Sequence, residues 1–246
     1  MKAVVVENYD SIDGISIKEM PLPGLAAGQV RVKIGAAAVG FVDGLKVQGR
    51  YQTKDPLPFV PGTEFAGTVD ATADGVTAFK PGASVIGMTR SGALAEYIAV
   101  PSAALKPLPP DVALEAGASF QANYLTGLYA LSARAELREG EILLVLGAAG
   151  GVGIAAVQLG KLLGARVIAA ASTAEKRDFA VRYGADETID YTKADWRDTL
   201  KALTGGNGPD VIFDPVGGEV ALQAFRSIAW RGRHLVVGFA SGTIPA

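Results

Sequence analysis

The sequence predicts an α/β protein in which a β-rich amino-terminal domain precedes a doubly wound parallel sheet. Three observations carry this prediction. The first hundred residues contain short strand-like runs that are separated by glycine and proline. Closely spaced short strands of this kind are typical of a barrel or sandwich. The second half alternates apolar runs with helical stretches, as βαβ units do. A wholly apolar run from Ile142 to Leu146, typical of a strand buried on both faces, enters a glycine-rich turn.

Six short strands are expected in the amino-terminal domain. They cover Lys2 to Glu7, Ile15 to Lys18, Gln29 to Ile34, Glu64 to Ala71, Ser84 to Met88 and Ala95 to Val100. The run from Gln29 to Ile34 alternates apolar and polar residues with a period of two. Pro56, Pro58 and Pro61 mark an extended loop, because proline disfavours a helix interior.

The pattern changes after Pro109 and Pro110. From Asp111 to Leu137 the spacing predicts a helix, with Asp111 as its N-cap. We place the junction here and predict domains over residues 1–120 and 121–246. Beyond it, strands are expected near residues 142–147, 166–171, 186–189, 210–214 and 233–238, and helices near 152–164, 174–183, 194–204 and 218–230.

The glycine-rich turn predicts a dinucleotide site. Gly150, Gly151 and Gly153 let the backbone turn sharply, approach a ligand and pack the helix on the strand. The helix that follows begins with free N–H groups and a positive dipole end, where a pyrophosphate binds. A second strand, Arg166 to Ala171, follows at the βαβ distance. Ala148 replaces the first glycine of the usual fingerprint, and the alternative is a tight turn that binds no dinucleotide.

Composition excludes several classes of site. The 246-residue chain has 23 basic and 25 acidic residues and no conspicuous basic run, so it offers no footprint for nucleic acid. It has no cysteine and a single histidine, His234, so no metal site is predicted. No apolar run reaches the length of about 18 residues that a membrane helix needs. The amino terminus lacks a signal peptide's apolar run, and a cytoplasmic protein is expected.

Two motifs carry a family resemblance. Val60 to Gly67, with the sequence VPGTEFAG, precedes the turn GAAGGVG of residues 147–153 and the run QLGK of 158–161. Together they resemble the zinc-independent, zeta-crystallin-like quinone oxidoreductase branch of the medium-chain dehydrogenase/reductase superfamily. The resemblance implies a GroES-like catalytic domain and a Rossmann domain, with the active site between them. It also implies hydride transfer from reduced nicotinamide to a quinone or an α,β-unsaturated carbonyl.

The end of the second strand favours NADPH over NADH. An NAD-binding domain usually places Asp or Glu there to hold the ribose 2′-hydroxyl, and this chain has Ala171. Lys176 and nearby hydroxyls can accept the charge of a 2′-phosphate, although Lys176 and Arg177 also fit a solvated helical turn. The resemblance places Ser172, Lys176 and Tyr191 around that phosphate.

Further positions are assigned by the turn and by the resemblance. The cofactor-binding candidates are Thr126 in the junction helix, Ala149, Gly150, Gly151, Val152 and Gly153 in the turn, and Gly238, Phe239 and Ala240 after the fifth strand. Tyr51 is the candidate for substrate binding or proton donation, with a packing role as the alternative. Asp43 and Glu64 are assigned structural roles, in which they hold loops through backbone hydrogen bonds.

Departures from the family pattern leave alternatives open. Gly40 and Leu45 replace an asparagine and a tyrosine that relatives often carry, and Gly40 and Thr63 replace two metal ligands of the zinc-dependent branch. Five strands are found where this fold has six, so the chain is expected to lack a segment that forms a dimer edge in full-length relatives, which are expected to be homodimers. The alternative functions are an enoyl-thioester reductase of the same superfamily and a non-catalytic NADP-binding protein.

Overall fold

The computed structural model describes residues 1–9 and 12–243, and the chain divides into two compact units, Met1–Ala122 and Asn123–Ala246. The division falls within a helix, and the domain limits of 1–120 and 121–246 stay a prediction. Each unit is built around its own five-stranded sheet. No helix within residues 1–9 and 12–243 is long and apolar enough to cross a bilayer.

The first unit is rich in strands, as predicted. Its strands are β1 (Lys2–Val6), β2 (Ile15–Glu19), β3 (Gln29–Ala37), β4 (Glu64–Thr72), β5 (Ser84–Met88), β6 (Tyr97–Pro101) and β7 (Leu105–Pro107). β1 and β2 pair with each other, and the other five form an antiparallel sheet in the order β6-β3-β4-β5-β7. The helices are α1 (Phe41–Val47) and α2 (Leu114–Ala118), and the sequence pattern predicts neither α1 nor β7.

Alternation along β3 builds the core of the first unit. Val30 and Val32 are buried in one cluster with Phe65, whereas Lys33 is exposed. Burying a side chain of this kind stabilises the fold by about 1.5–3 kcal/mol relative to leaving it exposed. Gly87 on β5 makes room for the Phe65 ring, because a Cβ at residue 87 would lie 2.4 Å from its Cζ.

The continuous helix predicted from Asp111 to Leu137 is wrong at its start. Asp111 is not the N-cap, because the consecutive prolines set a turn in which the Val112 N–H donates to the Pro109 carbonyl at 3.1 Å. α2 therefore begins only at Leu114, after an extended residue. Proline fixes φ and lacks an N–H, which favours this turn over an earlier helical start.

The same prediction is also wrong in its continuity. α2 ends at Ala118, where the Ser119 hydroxyl donates to the Glu115 carbonyl at 2.9 Å and competes with continued backbone pairing. A separate helix, α3 (Gln121–Leu128), follows, and a π-helical turn over Tyr129–Arg134 continues from it. Periodicity does not register such local competitors, so the three segments look like one helix in the sequence.

The second unit confirms the predicted doubly wound parallel sheet. Its strands are β8 (Ile142–Leu146), β9 (Arg166–Ala170), β10 (Glu187–Ile189), β11 (Val211–Asp214) and β12 (Arg233–Val236). Its further helices are α4 (Gly151–Leu162), α5 (Ala174–Arg182), α6 (Trp196–Leu203) and α7 (Gly218–Phe225). All strand pairs are parallel, in the order β10-β9-β8-β11-β12.

β8 is buried on both faces. Leu143 and Val145 belong to one core cluster, and Leu144 and Leu146 belong to the cluster on the other face. All four side chains have no solvent exposure. An unbroken apolar run is the pattern expected for the central strand of such a sheet. Because β8 is the middle strand of the five, its carboxyl end lies at the middle of one sheet edge.

Candidate functional site

The chain leaves β8 through a tight glycine turn and enters α4. Gly147 has a φ of 58°, in the left-handed region that favours glycine. A Cβ at Gly153 would lie 2.3 Å from the Gly147 carbonyl oxygen, so glycine is needed for α4 to pack on the turn. Gly150 is the N-cap of α4 and offers no side-chain oxygen to its first N–H groups, a geometry that suits an anionic ligand.

A cavity of about 410 Å³ lies at the carboxyl edge of the parallel sheet. It is lined by Gly147, Ala149, Gly150, Ala171, Lys176, Tyr191, Val216, Ala240 and Ser241. Each of the five strands contributes through the segment that follows it. This edge is where doubly wound sheets bind their ligands, and the volume suits a small-molecule site.

The cavity brings together five of the predicted cofactor-binding residues. These are Ala149, Gly150, Lys176, Tyr191 and Ala240. The others do not line it: Gly151, Val152 and Gly153 lie in α4, Ser172 follows β9, Gly238 and Phe239 follow β12, and Thr126 lies half-buried in α3. Their contacts with a cofactor stay predictions.

Four cavity-lining residues are missing from the predicted cofactor-binding residues: Gly147, Ala171, Val216 and Ser241. Gly147 belongs to the predicted turn motif and Ala171 to the predicted end of the second strand, whereas Val216 and Ser241 have no place in the sequence-based assignment. Val216 follows the carboxyl end of β11, so the rule that ligands bind at strand carboxyl ends was a usable signal for it. Ser241 directly follows Ala240, and only the path of that loop reveals its place on the cavity wall.

The loops after β11 and β12 hold each other in place. The Ala240 N–H donates to the Pro215 carbonyl at 3.0 Å, and the Ser241 N–H donates to the Val216 carbonyl at 2.9 Å. A Cβ at Gly238 would lie 3.2 Å from the Pro215 oxygen, so glycine permits this approach. These contacts fix one wall of the cavity.

The opposite wall has no carboxylate at the position where NAD-binding domains usually carry one, and a lysine lies on the same wall. Ala171, which follows β9, is buried and apolar. Thr173 is the N-cap of α5 and accepts the Lys176 N–H at 3.3 Å, which places Lys176 in the first helical turn. The Lys176 side chain is exposed and lines the cavity. This arrangement suits a ligand that carries an extra negative group.

In the first unit, Tyr51 lies half-buried in the loop between α1 and β4. Asp55 anchors this loop, since its carboxylate binds Lys46 Nζ and Arg90 Nε, each at 2.8 Å, and its carbonyl accepts the Tyr9 hydroxyl. Burial raises the pKa of Asp55, but the bonds from Lys46 and Arg90 outweigh it and hold the pKa below its usual value. Both roles of Tyr51 stay predictions.

Asp43 and Glu64 are buried carboxylates that hold backbone segments. Asp43 Oδ2 accepts the Gly40 N–H at 2.8 Å, and Glu64 Oε1 accepts the Ala122 N–H at 2.7 Å. Burial raises the pKa of each carboxyl, and the nearby Asp43 raises the pKa of Glu64 further. Within residues 1–9 and 12–243, no group of three or more His, Cys, Asp or Glu side chains is arranged to hold a metal ion.

A second cavity, of about 460 Å³, lies away from the carboxyl edge, beside α6 and the end of α7. Arg197, Lys201 and Arg226 contribute to its lining. Lys201 is in the last turn of α6 and Arg226 is the C-cap of α7, positions where the helix dipole favours positive charge. The smaller cavity is the candidate site, because it is lined by the glycine turn and by a segment after each of the five strands, and the glycine turn does not line the second cavity.

Models of two protein families match the chain. The alcohol dehydrogenase GroES-like domain matches residues 26–110, within the first unit. The zinc-binding dehydrogenase model matches residues 151–246, within the second unit. The two matches follow the order of the two sheets along the chain.

Individual relatives match nearly the whole chain. Quinone oxidoreductase-like protein 2 of Mus musculus is 38% identical over 233 residues, covering 94% of this chain and 67% of that protein. The structure of Pseudomonas syringae pv. Tomato DC3000 quinone oxidoreductase has a TM-score of 0.92 and 34% identity, covering 99% of this chain and 75% of that one. Escherichia coli quinone oxidoreductase complexed with NADPH has a TM-score of 0.93 and 29% identity, covering 100% and 76%.

Proposed function

This chain belongs to the zinc-independent quinone oxidoreductase branch of the medium-chain dehydrogenase/reductase superfamily, and from that premise we propose that it binds NADPH and reduces a quinone or an α,β-unsaturated carbonyl. The observation that carries the cofactor assignment is the cavity wall where Lys176 lies near the buried Ala171. The NADPH bound to the Escherichia coli relative supports the same assignment.

The residues at the cavity fit this cofactor. The glycine turn allows close approach of a pyrophosphate to the N-terminus of α4, and Lys176 supplies a positive charge for a 2′-phosphate. Tyr191 and Val216 provide apolar surface for an adenosine group. When bound, NADPH supplies the hydride, and the protein orients it and excludes water.

A titration of the 246-residue chain with NADPH and with NADH, followed by cofactor fluorescence, tests the cofactor assignment. We expect saturable binding that favours NADPH by about tenfold or more, because a hydrogen bond to a charged group contributes about 1.5–3 kcal/mol. Equal affinities for the two cofactors would reject the 2′-phosphate site.

The reaction is tested by steady oxidation of NADPH in the presence of a simple quinone. We expect faster turnover with the quinone than with an enoyl thioester. The reverse order would identify an enoyl-thioester reductase instead. Saturable NADPH binding with no turnover of either substrate would identify a non-catalytic NADP-binding protein.

Tyr51 is the proposed proton donor or substrate contact. Replacing it by phenylalanine removes only the hydroxyl and keeps the ring that packs in the loop. We expect Tyr51→Phe to lower quinone turnover while NADPH affinity is unchanged. Unchanged turnover would leave Tyr51 with a packing role alone.

A further inference from the structure

Arg177 follows Lys176 in α5, but its surroundings are different. Its Nη1 donates to the Ala171 carbonyl at 3.1 Å and pairs with Asp190 Oδ2 at 3.0 Å. The Arg177 side chain is 20% exposed, whereas Lys176 is an exposed residue of the cavity wall. The two neighbouring cations of this helical turn therefore differ in what they contact: Arg177 binds other segments of the protein, and Lys176 faces the cavity.

The contacts of Arg177 join three segments of the chain. Ala171 follows β9, Asp190 follows β10, and Arg177 itself belongs to the first half of α5. Each segment carries one cavity-lining residue: Ala171 itself, Tyr191 after Asp190, and Lys176 before Arg177. The guanidinium thus fastens together the three parts of the wall that the 2′-phosphate is proposed to meet.

Asp190 also binds Thr192, so the residues on both sides of Tyr191 are held by hydrogen bonds or an ion pair. Its Oδ1 accepts the Thr192 N–H at 3.0 Å and the Thr192 hydroxyl at 2.6 Å, while Oδ2 faces Arg177. The two bonds from Thr192, followed by the charge of Arg177, hold the pKa of Asp190 below its usual value. The carboxylate is therefore ionised at neutral pH and holds Tyr191 between two anchored neighbours.

We propose that Arg177 is a positioning residue for cofactor selectivity, which holds Lys176 and Tyr191 in the arrangement that accepts the 2′-phosphate and does not itself contact the phosphate. The proposal rests on the proposed binding of NADPH. Its competitor is a direct role, in which Arg177 is a second phosphate ligand beside Lys176. The two roles differ in what Asp190 does, because a partner that anchors Arg177 also keeps it from the ligand.

Asp190→Asn separates the two roles by the sign of its effect. The amide oxygen still accepts from Thr192, but the charge that anchors Arg177 is lost. If Arg177 positions the wall, NADPH binding weakens by about fivefold or more, and by a larger factor than NADH binding, which loses only the part that depends on Tyr191. If Arg177 binds the phosphate directly, freeing it and removing a nearby negative charge tighten NADPH binding.

Arg177→Gln and the double variant complete the experiment. Arg177→Gln is expected to weaken NADPH binding as Asp190→Asn does, and the double variant is expected to be no weaker than Arg177→Gln, because both changes remove one connection. The matched control is Glu187→Gln, which breaks the Arg166–Glu187 pair at the opposite ends of β9 and β10. It should leave the ratio of NADPH to NADH affinity unchanged.

Both cofactors are titrated against each folded variant, as judged by circular dichroism. Tighter NADPH binding by Asp190→Asn would overturn the positioning role of Arg177 without overturning the proposed function. Additive losses of NADPH affinity in the double variant would do the same. Equal losses of NADPH and NADH binding would reduce Arg177 to a general structural contact and overturn it too. Failure of the unmodified chain to bind NADPH would overturn both this inference and the proposed function.

Discussion

Asp214 and His234 meet inside the second unit, with Asp214 Oδ2 3.1 Å from His234 Nε2. The Asp214 side chain is fully buried, and its Oδ1 accepts the N–H groups of Val216 and Gly217 at 2.8 and 2.9 Å. His234 is the single histidine of the sequence and lies on β12. One carboxylate thus ties β12 to the loop that carries a wall of the cofactor cavity.

Asp214→Ala is expected to lower the free energy of unfolding by about 2–4 kcal/mol, because it leaves buried N–H groups without an acceptor. Since the loop at Val216 loses its anchor, NADPH and NADH binding should weaken together. Denaturant unfolding and cofactor titration measure the two effects. His234→Gln, whose amide can still donate to Asp214, should cost less than about 1 kcal/mol, and an equal cost for both variants would contradict this account.

Lys176→Ala is expected to weaken NADPH binding by about tenfold or more and to leave NADH binding nearly unchanged, since only NADPH carries the 2′-phosphate. Fluorescence titration with both cofactors measures the difference. Lys201→Ala removes a comparably exposed lysine from the other cavity and serves as the matched control. A loss shared equally by NADPH and NADH would reject the assignment of Lys176 to the phosphate.

Gly153→Ala is expected to weaken the binding of both cofactors and to destabilise the fold, because the alanine Cβ would lie 2.3 Å from the Gly147 carbonyl oxygen. Gly44→Ala is the control, since a Cβ at Gly44 in α1 meets no atom within 4 Å. Alanine is a better helix former than glycine, so the control should gain about 0.5–1 kcal/mol of stability. Thermal unfolding and titration of the two variants give the comparison, and wild-type behaviour of Gly153→Ala would contradict it.

The buried carboxyl of Asp43 makes the stability depend on pH. Burial raises its pKa above the ordinary value of 3.8, so in the interval between the two values the folded chain holds a proton that the unfolded chain has released. This part of the stability is present at low pH and is lost as the pH rises through that interval. Asp43→Asn, which keeps an oxygen for the Gly40 N–H, should therefore gain stability relative to wild type between pH 4 and pH 7.

Urea unfolding of wild type and Asp43→Asn at the two pH values measures this gain, which is about 1.4 kcal/mol for each unit by which the pKa is raised. Glu64→Gln should behave in the same direction, because burial raises the pKa of Glu64 as well. A pH-independent difference between variant and wild type would show that neither carboxyl is held protonated by the fold.

The sequence predicts the second unit well because its signals are local. The unbroken apolar run of β8 and the glycines of the turn each identify an element without knowledge of its neighbours. The helix expected from Asp111 fails for the opposite reason, since Ser119 and the prolines before α2 act through hydrogen bonds that periodicity does not register.

The candidate site divides in a similar way. Lys176 and Gly150 could be assigned from motif and position, and both line the cavity. The pairing of Arg177 with Asp190 could not be predicted, because it joins a helix to the end of a different strand. In the sequence alone, Arg177 is indistinguishable from a solvated cation, and only the fold supplies its partner.

The central position of β8 has a consequence for synthesis of the chain. β9 follows soon after β8, but the other neighbour, β11, comes much later, and the bond from the Ile142 N–H to Asp210 Oδ2 spans 68 residues. At roughly 5–20 residues per second, one edge of this wholly apolar strand stays uncovered on the ribosome for about 3–14 seconds. The free edge of β8 can therefore pair with another chain during synthesis, whereas in the finished sheet β9 and β11 cover both of its edges.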